Sequence, residues 1–525
     1  MTRPAPRWAP RLAAVLAGLA AAAAHPPFGL LPGLLAYGLM MRLADGARPE
    51  RPLRSAFLRG WLVGVGYFGL SIWWVVEPFQ VEPDLAWMAP FALVMMAGGL
   101  ALFWGLGFLV YRAGGPRGFG RALVFAGALS AVEWLRGHVL GGFPWDLPGE
   151  SWRAGSAPSQ AAAVVGAYGL TWITVALGAL PALAFDKAAS PLRRGLALAA
   201  AVLGVGLLYA GGAARLALAR PLAEPPVQIR VVQANIDQKE KWRSENLGLV
   251  FDAYARLTVA PASTPPRVVI WPEGALPAVI DDLLAPGSPY VGRLQAALAP
   301  GQTLLMGANR AGRGRGGKVE YFNSLIALRR EDAGLSVTGI YDKRQLVPFG
   351  EFMPLGDLAS KIGLRSLVHM PEDFTAGPEP RPITPAGLPP VQPLICYEAL
   401  FPHVTSGAAA RAGFRPAWIV NVSNDAWFGV TSGPWQHLNM ASYRAIEEGL
   451  PVVRATPTGV SAVIDAFGRS ASIMRLEMGK TGQIDARLPP RLQATLYSRF
   501  AETFFFVMLL VSALILGAIR IAARR

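Results

Sequence analysis

The sequence predicts a polytopic membrane protein, in which about eight transmembrane helices are combined with one large α/β domain. Hydrophobic residues make up 53% of the 525 residues and charged residues only 16%, which is too apolar for an ordinary soluble enzyme. Eight apolar segments approach the roughly 20 residues that span a bilayer as helix. The stretch from about 221 to 498 instead alternates short β-branched runs with helical stretches, which indicates an α/β domain.

The eight apolar segments define the predicted membrane domain. They lie near 11–24, 27–41, 57–76, 86–111, 119–136, 161–185, 195–213 and 503–520. The first two are short and are joined by "HPPFG", so they are interpreted as a helical hairpin. Segment 11–24 also fits a cleavable signal peptide, because it is Ala-rich, flanked by arginine and ends in small residues. We favour its retention, and the alternative stays open.

The distribution of basic residues predicts the orientation of these spans. Four arginines lie between the second and third spans and Arg59 lies at the start of the third, whereas the loop "VEPFQVEPD" (76–84) has no basic residue. Because basic loops stay in the cytoplasm, both termini are predicted to be cytoplasmic and segment 221–498 to lie outside the cytoplasm. The net charge of +15 is therefore attributed to membrane orientation, and we expect the lipid bilayer, not a nucleic acid, as partner.

Three parts of the chain follow from this pattern. Residues 1–220 are predicted to form the membrane domain with helices 1 to 7, and residues 499–525 to form the eighth transmembrane helix. Between them, residues 221–498 are predicted to form the catalytic domain. The Pro-rich stretch "ARPLAEPP" marks the entry to it, and its nearly 280 residues suffice to bury a core of their own.

Cys396 is the only cysteine of the chain, so neither an intramolecular disulfide nor a Cys-rich zinc site is available. It ends the apolar run "VQPLI" and is followed by the polar turn "YEALFP". A nucleophile at such a strand-to-helix turn exposes its side chain, and the N–H of the next residue can stabilise an oxyanion. The alternative is an inert cysteine in the core.

Two other strand ends carry candidate catalytic residues. Glu273 ends the strand in "VVIWPEGALP", where apolar surroundings favour a general base, although a solvated turn is the alternative. Lys343 follows a strand in "YDKRQLVPFGEFMP", although a Lys-Arg pair is commonly solvated surface. Since none of the five histidines sits at a comparable strand end, a Cys-Glu-Lys set is predicted. The glutamate would take the thiol proton, and the lysine would stabilise the thiolate and the oxyanion.

The stretches "WPEGALP", "YDKRQLVPFGE" and "ICYE" resemble, in order and approximate spacing, the Glu-Lys-Cys triad motifs of the nitrilase or carbon-nitrogen hydrolase superfamily. A domain of this kind placed between seven membrane spans and a final one resembles the apolipoprotein N-acyltransferase family over essentially the whole chain. The resemblance implies an α-β-β-α sandwich. It also implies a multi-pass protein of the bacterial inner membrane, with the catalytic domain on the periplasmic face.

The resemblance further implies the reaction and the role of each residue. Cys396 would take an acyl chain from a phospholipid as a thioester, with Glu273 as general base and Lys343 as the triad lysine. The acceptor would be the α-amino group of the diacylglyceryl-cysteine at the N-terminus of an apolipoprotein. Supporting or substrate-binding roles are implied for Glu351, Tyr397, Glu398 and Trp242. Gly274 departs from the family pattern, which often has a small hydroxyl residue there, and this puts the fine positioning of the Glu273 loop in doubt.

Two loops and two alternative functions complete the prediction. The stretches 348–355 and 424–435 are rich in Gly, Pro and large apolar residues, which favours lids over acyl chains, with ordinary core packing as the alternative. A membrane-tethered amidase or nitrilase would use the same triad with water as acceptor. A transporter or scaffold would need polar residues within the spans, a pattern that is sparse. No phosphate loop, metal cluster or heme motif is found, so neither a cofactor nor a metal is expected.

Overall fold

The computed structural model describes residues 8–81, 83–313, 317–353 and 373–524. The chain forms two compact units. The first contains the chain up to Ala219 together with Thr431–Glu447 and the residues from Ala494 onward. The second contains Arg220–Val430 and Glu448–Gln493. Almost all of the first unit is helical, whereas all strands of the described residues belong to the second.

The first unit contains eleven α-helices among the described residues, and eight of them overlap the predicted apolar segments. The eleven are Ala9–Ala22, Ala36–Asp45, Pro52–Ser71, Pro78–Val81, Ala89–Gly114, Arg121–Arg136, Ala162–Ala179, Pro191–Leu218, Gly433–Glu448, Leu496–Phe500 and Thr503–Arg524. Four helical stretches of the described chain are long and apolar enough to cross a membrane: Asp84–Gly114, Pro158–Phe185, Pro191–Leu218 and Thr503–Ala522. A fifth candidate is the pair Pro52–Ser71 and Trp73–Val81, which is bent by 67°. The membrane character is therefore confirmed.

The remaining predicted spans form short helices. Segments 11–24, 27–41 and 119–136 correspond to α-helices of 14, 10 and 16 residues. Each is shorter than the roughly 20 residues that cross the hydrocarbon core. The count of eight spans therefore stays a prediction.

The second unit contains eleven strands in the described part of the chain. We number them β1 to β11: Gln228–Gln233, Val268–Trp271, Thr303–Arg313, Val319–Glu331, Gly334–Asp342, Val391–Ile395, Trp418–Val422, Val452–Ala455, Ser461–Ile464, Arg475–Leu476 and Gly482–Arg487. They form a six-stranded sheet of order β11-β1-β2-β3-β4-β5 and a five-stranded sheet of order β10-β9-β8-β7-β6. Its α-helices are Gln238–Lys241, Leu247–Thr258, Ile280–Leu283, Pro289–Ala297 and Val404–Ala412. The predicted α/β domain is confirmed.

The alternation of apolar side chains along the strands builds two layers of core. On one face of the six-stranded sheet, Val231 and Ile270 share a cluster with Ile395 and Val420 of the other sheet, so the two sheets pack through one core. On the opposite face, residues such as Trp271 pack with the helices Leu247–Thr258 and Pro289–Ala297. Since successive strand residues point to opposite faces, both faces of the six-stranded sheet are buried.

The directions of the strands bring the predicted residues to one edge of the domain. β1, β2 and β3 are parallel, β5 runs in the same direction, and β6, β7 and β8 are parallel in the second sheet. Glu273 lies two residues after β2, and Lys343 and Cys396 follow β5 and β6 directly. Ligands of open α/β sheets bind at the carboxyl ends of the strands, so this edge is the candidate active site.

Candidate active site

Glu273 is held by hydrogen bonds to both of its carboxylate oxygens. Asn323 Nδ2 donates to Oε1 over 2.7 Å, and the backbone N–H of Asn424 donates to Oε2 over 2.7 Å. The side chain is buried, with 7% of its residue surface exposed. Behind it, a Cβ atom at Gly307 would lie 2.5 Å from Glu273 Cα, so only glycine permits this approach of β3 to the Glu273 backbone. The carboxylate is therefore fixed from several sides.

Lys343 lies between two carboxylates. Its Nζ is 3.4 Å from Glu273 Oε1 and 2.9 Å from the carboxylate of Glu351. Asn323 Nδ2 also bridges the two acids, because it donates to Glu351 Oε1 over 2.7 Å as well as to Glu273. Val347 N donates to the second Glu351 oxygen over 2.8 Å. One ammonium and one amide thus hold two carboxylates together.

This arrangement keeps Lys343 positively charged. Burial by itself lowers the pKa of Lys343, but the negative charges of Glu351 and then Glu273 outweigh burial and raise the pKa well above its ordinary value. Only 1% of its residue surface is exposed. Lys343 is therefore a permanent cation at neutral pH and can act as an electrostatic stabiliser, not as a base.

Cys396 sits in a strained turn. Its φ is +46°, in the left-handed region that residues with a Cβ rarely adopt. Such strain is concentrated at functional sites, and it matches the sharp strand-to-helix turn that presents a nucleophile. The residue directly follows β6 and begins the 3₁₀ turn Cys396–Leu400. The predicted turn is thus present, although Cys396 is only partly exposed.

The surroundings of Cys396 keep its thiol protonated. Burial and the negative charge of Glu273 raise the pKa of Cys396 to about 12, against the opposing effects of Lys343 and of a hydrogen bond with Ser423. A thiol with this pKa holds almost no thiolate at neutral pH, so reaction requires a base that removes its proton during attack. The same carboxylate that raises the pKa is the candidate base.

Glu398 connects the Cys396 turn to the Lys343 loop. It is fully buried and accepts hydrogen bonds from Ile395 N over 2.9 Å, from Arg344 N over 2.8 Å and from the Tyr341 hydroxyl over 2.9 Å. Ile395 directly precedes Cys396, and Tyr341 and Arg344 lie on either side of Lys343 in the chain. Glu398 is therefore placed to position both the Cys396 turn and the Lys343 loop.

Two further predicted residues occupy different surroundings. Tyr397 is buried, and its ring packs edge-on against Phe401 at 5.2 Å between centroids. Trp242 is partly buried and lies beside the Glu273 loop, because a Cβ atom at Gly274 would be 3.9 Å from its ring. Gly274 itself has a φ of +50°, which glycine adopts without strain.

A buried ion pair lies behind the thiol. Arg454 contacts Asp425 Oδ2 over 2.6 Å, and Ser423 Oγ donates to Asp425 Oδ1 over 2.7 Å. Ser423 in turn bonds the thiol of Cys396, and the charge of Asp425 raises its pKa further. Ser423 therefore connects the thiol of Cys396 to the buried ion pair of Asp425 and Arg454.

Several residues at the site were not singled out by the sequence reasoning, among them Ser423 and Arg454 near the thiol. Asn323 and Lys241 were missed, and Asn424 was noted only as the start of a lid loop. The run "VSND" after β7, in which polar residues follow an apolar strand, resembles the pattern that identified Glu273. Asn323 lies within β4, and nothing in its local sequence distinguishes it.

The two predicted lid loops are described in part. Asn424 of the stretch 424–435 contacts Glu273 through its backbone, and Asp425 is buried. In the stretch 348–355, residues 354 and 355 lie outside the described residues. Closure of either loop stays a prediction.

Comparison with known proteins identifies relatives over nearly the whole chain. Residues 17–180 match the family model "Apolipoprotein N-acyltransferase N-terminal domain", and residues 228–477 match "Carbon-nitrogen hydrolase". The apolipoprotein N-acyltransferase of Caulobacter vibrioides is 52% identical over 519 residues, covering 98% of this chain and 95% of that protein. The apolipoprotein N-acyltransferase of Bradyrhizobium diazoefficiens is 36% identical and covers 98% of this chain and 96% of that protein. That of Rhodopseudomonas palustris is 37% identical and covers 94% of this chain and 92% of that protein.

Proposed function

Because the chain belongs to the apolipoprotein N-acyltransferase family, we propose that its acyl transfer passes through a thioester on Cys396, with Glu273 and Lys343 as the other catalytic residues. The chain is an acyltransferase of lipoprotein maturation, and its substrates are lipoproteins in a membrane. The observation that carries the residue assignment is the contact of Lys343 with Glu273 and Glu351, next to a neutral thiol in a strained turn.

In the first half-reaction, the donor is an acyl ester of a phospholipid. Glu273 takes the thiol proton of Cys396 while Sγ attacks the ester carbonyl carbon. The oxyanion that forms lies beside the ammonium of Lys343, which stabilises it electrostatically. Glu273 then gives its proton to the departing glycerol oxygen, so that a lysophospholipid leaves and the acyl chain stays on sulfur.

In the second half-reaction, the neutral α-amino group of the diacylglyceryl-cysteine attacks the thioester. Glu273 accepts a proton from the attacking nitrogen and returns it to the sulfur of Cys396 as the carbon-sulfur bond breaks. The product is an amide, and the enzyme recovers its thiol. Glu351 holds the ammonium of Lys343, and Asn323 Nδ2 bridges Glu351 to Glu273, so these contacts keep Lys343 and Glu273 in register through both halves.

The surrounding architecture is part of the proposal. We expect eight transmembrane helices, with residues 1–220 and 499–525 in the membrane and residues 221–498 as the catalytic domain. The α-β-β-α sandwich of that domain is expected on the periplasmic face of the inner membrane, with both termini in the cytoplasm. Two sheets with a shared core and basic residues on one side of the spans support these expectations.

The alternative acceptor is water, which would make the protein a membrane-tethered hydrolase. The two functions differ in the product and share the first half-reaction. The experiment is therefore an incubation of the purified protein with a phospholipid and a synthetic diacylglyceryl-cysteinyl peptide, followed by mass spectrometry of peptide and lipid. Cys396→Ala is the inactive control, and an N-acetylated peptide is the control for the free α-amino group.

The proposal predicts a peptide that gains one acyl group as an amide, in a yield equal to that of the lysophospholipid. Release of free fatty acid with an unmodified peptide would support the hydrolase instead. Acylation that persists in Cys396→Ala would contradict the thioester route.

A further inference from the structure

A group of buried hydrogen-bond donors without partners lies beside the Glu273 loop. Lys241 Nζ, Trp242 Nε1 and Gln238 Nε2 are each buried, and none of them has a hydrogen-bond partner among the described residues. Lys241 is completely buried, and 6% of Gln238 is exposed. A buried donor that is left unsatisfied is costly, and more so when it is charged. Three of them together indicate a place for a ligand that accepts hydrogen bonds.

The position of this group ties it to the catalytic residues. A Cβ atom at Gly274 would lie 3.7 Å from Lys241 Nζ and 3.9 Å from the Trp242 ring, so both side chains border the residue after the catalytic glutamate. Lys241 Nζ lies 5.2 Å from the centroid of the Trp242 ring. Gln238 Oε1 accepts from Asn424 Nδ2 over 3.4 Å, and Asn424 is the residue whose N–H binds Glu273.

The charge of the group restricts the ligand further. Burial lowers the pKa of Lys241 to about 8, with the charge of Glu273 opposing the shift, so the ammonium predominates at neutral pH. No carboxylate contacts Lys241 within the described residues, whereas Lys343 contacts two. The three groups thus offer an unpaired positive charge and neutral N–H donors, which suit an anionic oxygen group.

We propose that Lys241, Trp242 and Gln238 form a subsite that binds the phosphodiester of the donor phospholipid. This inference rests on the proposed function, because it assumes that the acyl donor is a glycerophospholipid. In such a lipid the phosphate and the acyl esters share one glycerol, so an ester at Cys396 keeps the phosphate a few bonds away. The acceptor is the weaker candidate, because its α-amino group is a cation before it loses a proton and Lys241 repels it.

The experiment compares two donors that differ in one methyl group and one charge. Dipalmitoyl phosphatidylmethanol carries an anionic phosphodiester, and its dimethyl phosphotriester analogue is neutral. Each is presented at the same subsaturating concentration in neutral detergent micelles to the full-length protein. The rate of acyl-enzyme formation in a single turnover is measured by intact-protein mass spectrometry.

Four proteins are compared: wild type, Lys241→Met, Trp242→Phe and the control Lys239→Met, which removes an exposed lysine of the same segment. The wild type and the control should acylate at least about tenfold faster with the phosphodiester, as expected for a charge-assisted contact. In Lys241→Met the preference should fall to within about twofold, because the rate with the phosphodiester falls much further than the rate with the phosphotriester. Trp242→Phe, which keeps an aromatic ring but loses the indole N–H, should show an intermediate preference.

Several results would overturn the subsite. One is a wild type that acylates equally fast with both donors, and another is a Lys241→Met variant that keeps the preference for the phosphodiester. A third is a Lys241→Met variant whose acylation rate falls equally with both donors, which would assign Lys241 to the triad or to the fold. If Lys241→Met does not fold, Trp242→Phe decides, and an unchanged preference in it contradicts the proposal. If neither donor acylates wild-type Cys396, the proposed function is contradicted instead, so the two failures are distinguishable.

Discussion

Gly307 offers a sharp test of how Glu273 is positioned, because a single methyl group there collides with the backbone of this proposed general base. The Cβ atom of an alanine would lie 2.5 Å from Glu273 Cα, 2.6 Å from the oxygen of Pro272 and 2.9 Å from Glu273 N. Non-bonded carbons require about 3.5 Å, so the two chains must separate by about 1 Å. Gly307 lies in β3, and its carbonyl accepts a hydrogen bond from Ala275 N over 3.0 Å, so the shift is transmitted to the Glu273 loop.

The expected effect of Gly307→Ala is larger on catalysis than on folding. Overpacking of this size destabilises a protein by about 1 to 3 kcal/mol. A misplacement of about 1 Å in a catalytic group costs on the order of 100-fold in rate. The assay is the single-turnover acylation of Cys396 by a phospholipid, with thermal unfolding of the same preparation in detergent.

The matched control is Gly292→Ala. Gly292 lies in the helix Pro289–Ala297, and no atom beyond its own helix and chain neighbours lies within 4 Å of an added Cβ. This variant should keep the wild-type rate and gain up to about 1 kcal/mol in stability from helix propensity. A folded Gly307→Ala protein that acylates at the wild-type rate would refute the conclusion that this contact fixes Glu273.

Further predictions concern the charges around the thiol and the buried groups that position it. Alkylation of Cys396 by iodoacetamide should accelerate about tenfold per pH unit between about pH 7 and pH 10, because its pKa is about 12; a plateau near pH 9 would contradict this. At about pH 8, Glu273→Gln should accelerate this alkylation and Lys343→Met should slow it, because their charges shift the pKa in opposite directions; effects of the same sign would exclude direct electrostatic control. Glu398→Gln should destabilise the fold by about 1 to 3 kcal/mol and slow acylation, and wild-type thermal unfolding would show that its hydrogen bonds do not matter. Arg454→Met should destabilise by about 3 to 5 kcal/mol because it leaves a buried carboxylate unpaired, and a second substitution that removes this carboxylate should restore most of the loss.

The sequence located the strand ends that carry the candidate residues, because strand ends have a local signature. An apolar run followed by a polar residue locates the carboxyl end of a strand, and Glu273, Lys343 and Cys396 all follow such runs. These strands have one direction within each sheet, so their ends meet at one edge. Local pattern and strand direction together therefore brought the candidate residues to one site before any contact was known.

The residues that the sequence did not reveal depend on pairing between distant segments. Asn323 is a single amide within β4, and it reaches Lys343 because β4 pairs with β5, where Ser324 is opposite Asp342. Lys241 lies in the polar stretch "DQKEKW", which is typical of solvated surface, yet it is completely buried. Burial of such a residue is decided by tertiary contacts, which neither composition nor periodicity records.

The count of membrane spans marks another limit of sequence reasoning. Hydropathy identifies apolar segments, but it does not show where a helix begins and ends. The segment near 27–41 contains a 3₁₀ turn, Leu31–Leu35, and an α-helix that begins only at Ala36. Apolar length alone therefore overestimates helix length in segments punctuated by Pro and Gly.

The measurement that tests the central claim most directly is a chase of the isolated acyl-enzyme. The protein is acylated by a phospholipid, separated from the donor, and mixed with a diacylglyceryl-cysteinyl peptide while intact masses are followed over time. The account predicts an adduct of one acyl chain, mapped to Cys396 and released by hydroxylamine, that disappears at the rate at which the peptide gains the same chain. An adduct that forms elsewhere, or a peptide acylated only while donor is present, would contradict transfer through Cys396.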